Sequence, residues 1–150
     1  MSFLKISDRI ALTAMFAVIG GVPLATSAAF LSRGEPDAKV KMSDGGERRF
    51  YTSGPMGTTT FRVDVLADGS AQSRVQVLNE ESFQAIQPGM TASQILEMIG
   101  PPWAKSRFDA TKTTTWDYHY RDAWGYDAQF SAVFDDAGRV AGKVHVRDGN

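Results

Sequence analysis

The sequence has 150 residues, a formal net charge of -1 and no cysteine, and its composition is that of an ordinary globular protein. The lack of cysteine excludes disulfides, thiolate nucleophiles, Cys-ligated zinc and lipid attachment through an N-terminal cysteine. The balanced charge offers no basic surface to nucleic acid, so no nucleic acid is expected among the partners.

Residues 1–29 are predicted to be an export signal. Lys5 and Arg9 give a positive start, residues 10–19 are apolar, and residues 25–29 supply small side chains for a signal peptidase. The apolar run is shorter than the about 20 residues that a spanning helix needs. Cleavage is the preferred interpretation, and a retained membrane anchor or an amphipathic buried helix are the alternatives. We therefore expect an exported, periplasmic protein that is not a lipoprotein.

Residues 30–78 are predicted to form an N-terminal β half. Residues 32–47 are polar and rich in turn signals. Strand candidates follow over residues 48–53, 58–66 and 71–78.

Alternation of apolar and polar residues predicts which way these strands face. Phe61, Val63 and Val65 fall on one side of the second strand. Val75 and Val77 are predicted to point inward from the return strand, which an Asp-Gly turn joins to the second.

Two short helices are predicted to begin the C-terminal domain, residues 79–150. Asn79 can cap a first helix over residues 80–86. Thr91 and Gln94 have the spacing of a capping box at the start of a second helix. Gly100 supplies a left-handed C-cap, and the two prolines after it prevent continuation.

Three strands are predicted to complete the chain, over residues 113–120, 127–135 and 140–146. Consecutive hairpins imply an antiparallel meander, and the two helices must cover its apolar face, which gives an α+β fold. The apolar residues of the last strand are predicted to point inward: Val140, Val144 and Val146. Its other side chains are predicted to point to solvent: Lys143, His145 and Arg147.

The two halves of the chain resemble each other in order. Gly34 and Gly100 begin similar Gly-x-Pro segments 66 positions apart, and Gly69 and Gly138 close similar hairpins 69 positions apart. One interpretation is a duplicated unit whose N-terminal copy is a partial repeat of the same hairpins without the helices. The other is that any two antiparallel meanders look alike.

No catalytic or metal-binding pattern is present. His119 and His145 could bind a metal if their strands pair, but no third ligand has suitable spacing, so solvated histidines are preferred. Asp135 and Asp136 could be paired carboxylates, although beside Gly138 they fit turn chemistry better. We expect no enzyme activity, no cofactor, no metal and no small-molecule substrate.

Aromatic and arginine side chains outside the predicted elements are the candidate partner-binding residues: Trp103, Phe108, Arg121, Trp124 and Tyr126. Such side chains are typical of binding hot spots. The alternative is that the aromatic rings close the ends of a small core. The exposed edges of the sheet offer a further route, the addition of a strand by a partner.

Short motifs in order resemble the SmpA/OmlA (BamE-like) family over about residues 80–147. They comprise an I-x-x-G-M-T entry, a G-x-P after the second helix, a W-x-Y strand and an F-D-x-x-G-x-V hairpin. The matching positions are Gly89, Met90, Thr91, Gly100, Pro101, Trp116, Tyr118, Phe134 and Gly138.

The resemblance implies a two-helix, three-strand domain in the periplasm. It implies an accessory binding protein, not an enzyme, of the machinery that inserts β-barrels into the outer membrane. Its partners would be envelope or outer membrane proteins, and it would be peripheral to that membrane. The same fold in tandem is similar to secreted β-lactamase-inhibitor proteins, so a secreted tandem-repeat enzyme inhibitor is the alternative.

Overall fold

The computed structural model describes residues 34–54 and 56–149. The predicted export signal, residues 1–29, lies outside these residues. Within them the elements are β1 Ala38–Lys41, β2 Glu47–Thr52, β3 Thr60–Val65, β4 Ala71–Gln76, α1 Glu80–Gln84, α2 Ala92–Ile99, β5 Ala104–Phe108, β6 Thr113–Arg121, β7 Asp127–Phe134 and β8 Val140–Arg147. In this part of the chain no helix is both long and apolar enough to span a membrane.

The strands form two separate antiparallel sheets, in the orders β1-β2-β3-β4 and β5-β6-β7-β8. The α+β class with two short helices is therefore confirmed, but each sheet has one strand more than predicted. β1 lies in the stretch predicted as turns, and β5 lies where Phe108 was placed in a loop. Both are short edge strands without a regular apolar alternation, so the sequence gives them little signal.

Both helices begin at the predicted caps. The Asn79 side chain accepts from the Ser82 amide, and Thr91 and Gln94 form the complete capping box. The C-cap prediction was right in the sign of φ and wrong in the region. Gly100 has φ 80° and ψ -168°, a positive-φ conformation that is nearly restricted to glycine and differs from the left-handed helical region.

The main core lies between the helices and the face of the second sheet that packs against them, here called the inner face. Phe83 of α1 stacks on Phe130 with ring centroids 4.1 Å apart and meets Tyr120 edge-on at 4.9 Å. The Tyr118 hydroxyl donates to the Gly100 carbonyl at 3.0 Å. Burial raises the pKa of Tyr118, so this hydroxyl remains a donor.

The first sheet has apolar side chains on both of its faces. Phe61, Val63 and Val65 form a small cluster with Tyr51, while Val75 packs against the main core. The apolar residues of β3 and those of the return strand therefore lie on opposite faces of the sheet. Paired residues share a face, and Val63 pairs with Arg74 whereas Val75 pairs with Arg62. On the helix side the Arg48 guanidinium holds the Asp64 carboxylate at 2.7 and 2.9 Å.

The prediction for β8 was wrong after its first residue. Val140 is buried as expected, but Val144 and Val146 are 47% and 52% exposed. Phe134 pairs with Val140 while Val133 pairs with Gly142, so Ala141 is an extra residue in a β-bulge. One extra residue transfers every later side chain to the other face. Lys143, His145 and Arg147 therefore lie on the inner face, opposite Ala132, Phe130 and Ala128.

Corresponding strands of the two sheets are separated by a nearly constant number of residues along the chain. β1 and β5 begin 66 positions apart, and β4 and β8 begin 69 positions apart. Each sheet also has its register shift at the same place, between Asp64 and Val65 in the first and between Val133 and Phe134 in the second.

Candidate functional site

The second sheet has one face that the helices do not cover. We call it the outer face; its side chains belong to strand residues that alternate with the buried ones. Among its residues are Phe108, Thr115, Asp117, His119, Gln129, Ser131, Val144 and Val146. Phe108 at one edge and the two valines at the other are exposed apolar side chains. Four strands spaced about 4.8 Å apart separate these edges by roughly 14 Å, a width suited to a protein partner.

Trp103 is fixed beside the outer face by two contacts. Its amide donates to the Asp117 carbonyl at 3.0 Å, and its indole stacks on His119 with centroids 4.5 Å apart and planes 24° apart. Asp117 in turn accepts from the Ser131 hydroxyl at 2.6 Å. An aromatic ring held in one orientation loses little entropy on binding, which favours its use as an anchor.

A second group of aromatic side chains lies at the turn between β6 and β7, residues 122–126, here called the β6–β7 tip. The Asp122 carboxylate accepts from the amides of Trp124 and Tyr126, both at 2.9 Å, and pairs with Arg147 at 2.6 Å. The Arg147 guanidinium also lies 5.1 Å from the centroid of the Tyr126 ring. A buried carboxylate thus shapes a turn whose two rings are 79% and 58% exposed.

Burial alone would raise the pKa of Asp122. Hydrogen bonds from the Tyr126 and Trp124 amides and the Arg147 guanidinium outweigh it, and the net pKa lies below the ordinary value. A lowered pKa in the folded state means that the stabilisation is complete above the unfolded pKa, about 3.9, and is lost as the pH falls through the folded value.

Replacing Asp122 by alanine is expected to loosen the β6–β7 tip, because two amides lose a charged acceptor. Hydrogen exchange of the Trp124 and Tyr126 amides should become at least several-fold faster at constant pH. Acidifying the unmodified protein well below the ordinary carboxyl pKa of about 3.9 should lower the protection of the same amides relative to their intrinsic exchange rates. Asp135→Ala is the matched control, because Asp135 accepts from the Ala137 and Arg139 amides in the next turn. Equal exchange at Trp124 in both variants would show that Asp122 does not shape this turn.

The two histidines lie on opposite faces of the second sheet. His119 is on the outer face under Trp103, whereas His145 is on the inner face, 5.0 Å from the Phe130 ring centroid. Burial, and then the nearby Lys143, lower the pKa of His145, which favours the neutral ring. A two-histidine metal site is excluded by this geometry. The described residues contain no group of three or more His, Asp or Glu side chains that could hold a metal.

The five predicted partner-binding residues fall into two groups, and Phe108, paired with Thr113, lies at the end of β6 opposite to Arg121. Trp103 and Phe108 belong to the outer-face side, and Trp124 and Tyr126 to the β6–β7 tip. Arg121 belongs to the second group, since it pairs with Asp127 at 3.1 Å at the end of the outer face beside the tip. All four aromatic rings are exposed, so the alternative that they close the core was wrong.

The sequence reasoning missed Val144 and Val146, which were assigned to the core. The bulge at Ala141 that exposes them leaves no signature in a pattern of alternating residues. It also missed the stacking of His119 on Trp103, which depends on β5 being a strand.

Comparison with known proteins finds a family similarity in the C-terminal half. Residues 76–143 match the model of the outer membrane protein assembly factor BamE domain. No curated protein matches the chain. The solved structure of a putative osmotically inducible lipoprotein, OsmE, is similar at 22% identity and a TM-score of 0.41, covering 46% of this chain and 72% of that one.

A putative β-lactamase inhibitor protein from Streptococcus mutans is also similar. It is 13% identical, with a TM-score of 0.34, and the match covers 79% of this chain and 80% of that one. The match to the family model coincides with the short motifs that run from Gly89 to Gly138. Residues 76–143 are therefore similar to the BamE domain, over a stretch that is less than half of the 150 residues.

Proposed function

We propose that this protein is a non-catalytic accessory module of the bacterial envelope that binds proteins during outer membrane assembly. The similarity of residues 76–143 to the BamE domain is the observation that carries this proposal. The export signal predicted over residues 1–29 accords with it. The absence of an enzyme active site remains part of the proposal.

The outer face and the β6–β7 tip are the proposed binding surface. They combine exposed aromatic rings, Trp103 stacked on His119 and Trp124 at the tip, with a sheet face that the helices do not cover. Binding hot spots are rich in tryptophan, tyrosine and arginine, and all three types occur here. The helices cover the inner face, which leaves the outer face as the broad surface of the family domain.

Site-specific photocrosslinking in intact cells tests this proposal. The photoreactive amino acid p-benzoylphenylalanine would replace Phe108 or Val144, two exposed outer-face residues, and Ser93 on the exposed side of α2 as the control. Adducts with outer membrane or assembly proteins are expected from the first two positions and not from Ser93. Equal labelling at all three positions, or recovery of the protein only in the cytoplasm, would contradict the proposal.

The enzyme-inhibitor alternative receives less support. Such a protein would use a concave face rich in tyrosine and tryptophan, with Tyr118 and Tyr120 part of it. Both of these side chains are buried beneath the helices, at 1% and 4% exposure. Only Trp124 and Tyr126 of the expected set are accessible, so we retain envelope assembly as the proposed function.

A further inference from the structure

The edge of β8 has main-chain groups that no other described residue pairs with. The amide of Asp148 donates to the Asp127 carbonyl, so residues at even positions direct their N–H and C=O groups to β7. Main-chain groups alternate in direction along an antiparallel strand. Those of Lys143, His145 and Arg147 therefore point away from the sheet. Within the described residues no main-chain hydrogen bond satisfies them.

The start of the β8 edge, before the bulge at Ala141, is already hydrogen-bonded to the loop between the helices. The Val140 amide donates to the Met90 carbonyl, and the Val140 carbonyl accepts from the Gly89 amide, both at 2.8 Å. An isolated bridge joins Thr91 to Arg139. The loop between the helices therefore occupies the beginning of the edge, and the bulge at Ala141 starts the open part.

β8 is the longest of the edge strands in the described part of the chain, with eight residues against four in β1, six in β4 and five in β5. The other edges offer a partner fewer main-chain groups. At the end of β4 the Gln76 side chain accepts from the Leu78 amide, so that amide is already bonded.

We propose that the β8 edge accepts an extended segment of a partner protein as an added strand. This inference deepens the proposed function and rests on it. Residues of the added strand opposite Lys143, His145 and Arg147 would exchange main-chain hydrogen bonds with them. The alternate residues would lie beside Val144 and Val146 and gain by being apolar.

The charges on the edge specify the partner further. Asp122 pairs with Arg147, whereas the Lys143 ammonium reaches only the Phe83 carbonyl, at 3.1 Å, and has no carboxylate partner among the described residues. The residue opposite Lys143 should therefore be acidic. The partner is an extended segment that alternates apolar with polar residues and carries a carboxylate in the polar row. Polar-apolar alternation is also the pattern of strands that build outer membrane barrels.

Fluorescence anisotropy of labelled nine-residue peptides with the full chain tests the inference. The peptide alternates valine and threonine, with glutamate at the threonine position designed to face Lys143. N-methylation of the amides designed to face the edge should weaken binding at least tenfold, because each removes a main-chain donor. N-methylation of the intervening amides, which point away, should leave binding nearly unchanged.

Variants of the protein test the charge. Lys143→Gln should weaken binding of the glutamate peptide about threefold and leave a glutamine peptide unaffected. Lys41→Gln, on the edge strand β1 of the other sheet, is the matched control and should change neither. No binding, or equal loss with both sets of N-methyl groups, would overturn the inference. Crosslinks from Phe108 together with failed peptide binding would exclude the β8 edge and leave the proposed function standing.

Discussion

Replacing Gly100 by alanine is expected to lower the free energy of unfolding by about 4 kcal/mol. Gly100 has φ 80° and ψ -168°, a region that is nearly restricted to glycine, and forcing another residue into it costs about 1–3 kcal/mol. A Cβ atom there would also lie 2.8 Å from the Phe50 ring and 3.2 Å from the Thr60 methyl group. Overpacking of a tight core adds about 1–3 kcal/mol. Urea denaturation measures the total.

Gly89→Ala separates the two contributions. Gly89 has φ 89°, but nothing lies within 4 Å of the position of its missing Cβ. Its replacement should therefore show backbone strain alone, about 1 kcal/mol. Combining Gly100→Ala with Phe50→Leu should recover part of the loss. If the two glycine variants are equally destabilised, close packing of Gly100 against the first sheet is not important for stability.

The local signals at the helix ends made them predictable. Asn79 and the Thr91–Gln94 capping box act over three residues, so the sequence contains the whole interaction. Turns closed by aspartate and glycine were predictable for the same reason. The exposure of Trp124 and Tyr126 was not predictable, because the sequence left open whether these rings close the core or contact a partner.

Which side chains of β8 lie on the inner face could not be predicted, because the register with β7 decides it. The pattern from Val140 to Val146 fits an uninterrupted strand with its valines inward, and the insertion of Ala141 as a bulge reverses it. The edges β1 and β5 depend on neighbours in the same way. Their four and five residues gain order from β2 and β6 rather than from their own composition.

The constant offset in residue number between the two sheets is evidence on whether the chain arose by duplication. Register shifts at Asp64/Val65 and Val133/Phe134 are 69 positions apart, like the glycines of the neighbouring hairpins, Gly69 and Gly138. Two unrelated meanders have no reason to share a bulge at one position. We propose a duplication whose first copy is a partial repeat, residues 30–78, followed by the α+β domain, residues 79–150, that resembles the BamE family.

Replacing Phe83 by alanine is expected to lower the free energy of unfolding by about 4 kcal/mol, the usual loss for a fully buried phenylalanine. Phe83 stacks on Phe130 and meets Tyr120 edge-on, so its removal leaves a cavity between α1 and the inner face. α1 has only five residues and is too short to be stable without this contact. Denaturation in urea and hydrogen exchange of the α1 amides measure the two effects.

Phe108→Ala provides the matched comparison, because the same side chain is removed from an exposed site on the outer face. Its stability should change by less than about 0.5 kcal/mol, while capture of envelope partners by the purified protein should fall. The two variants thus distinguish the Phe83 ring, which stabilises the fold, from the Phe108 ring, which is available for binding. Similar destabilisation by both substitutions would mean that the outer face is part of the structural core, and the binding surface would have to be sought elsewhere on the domain.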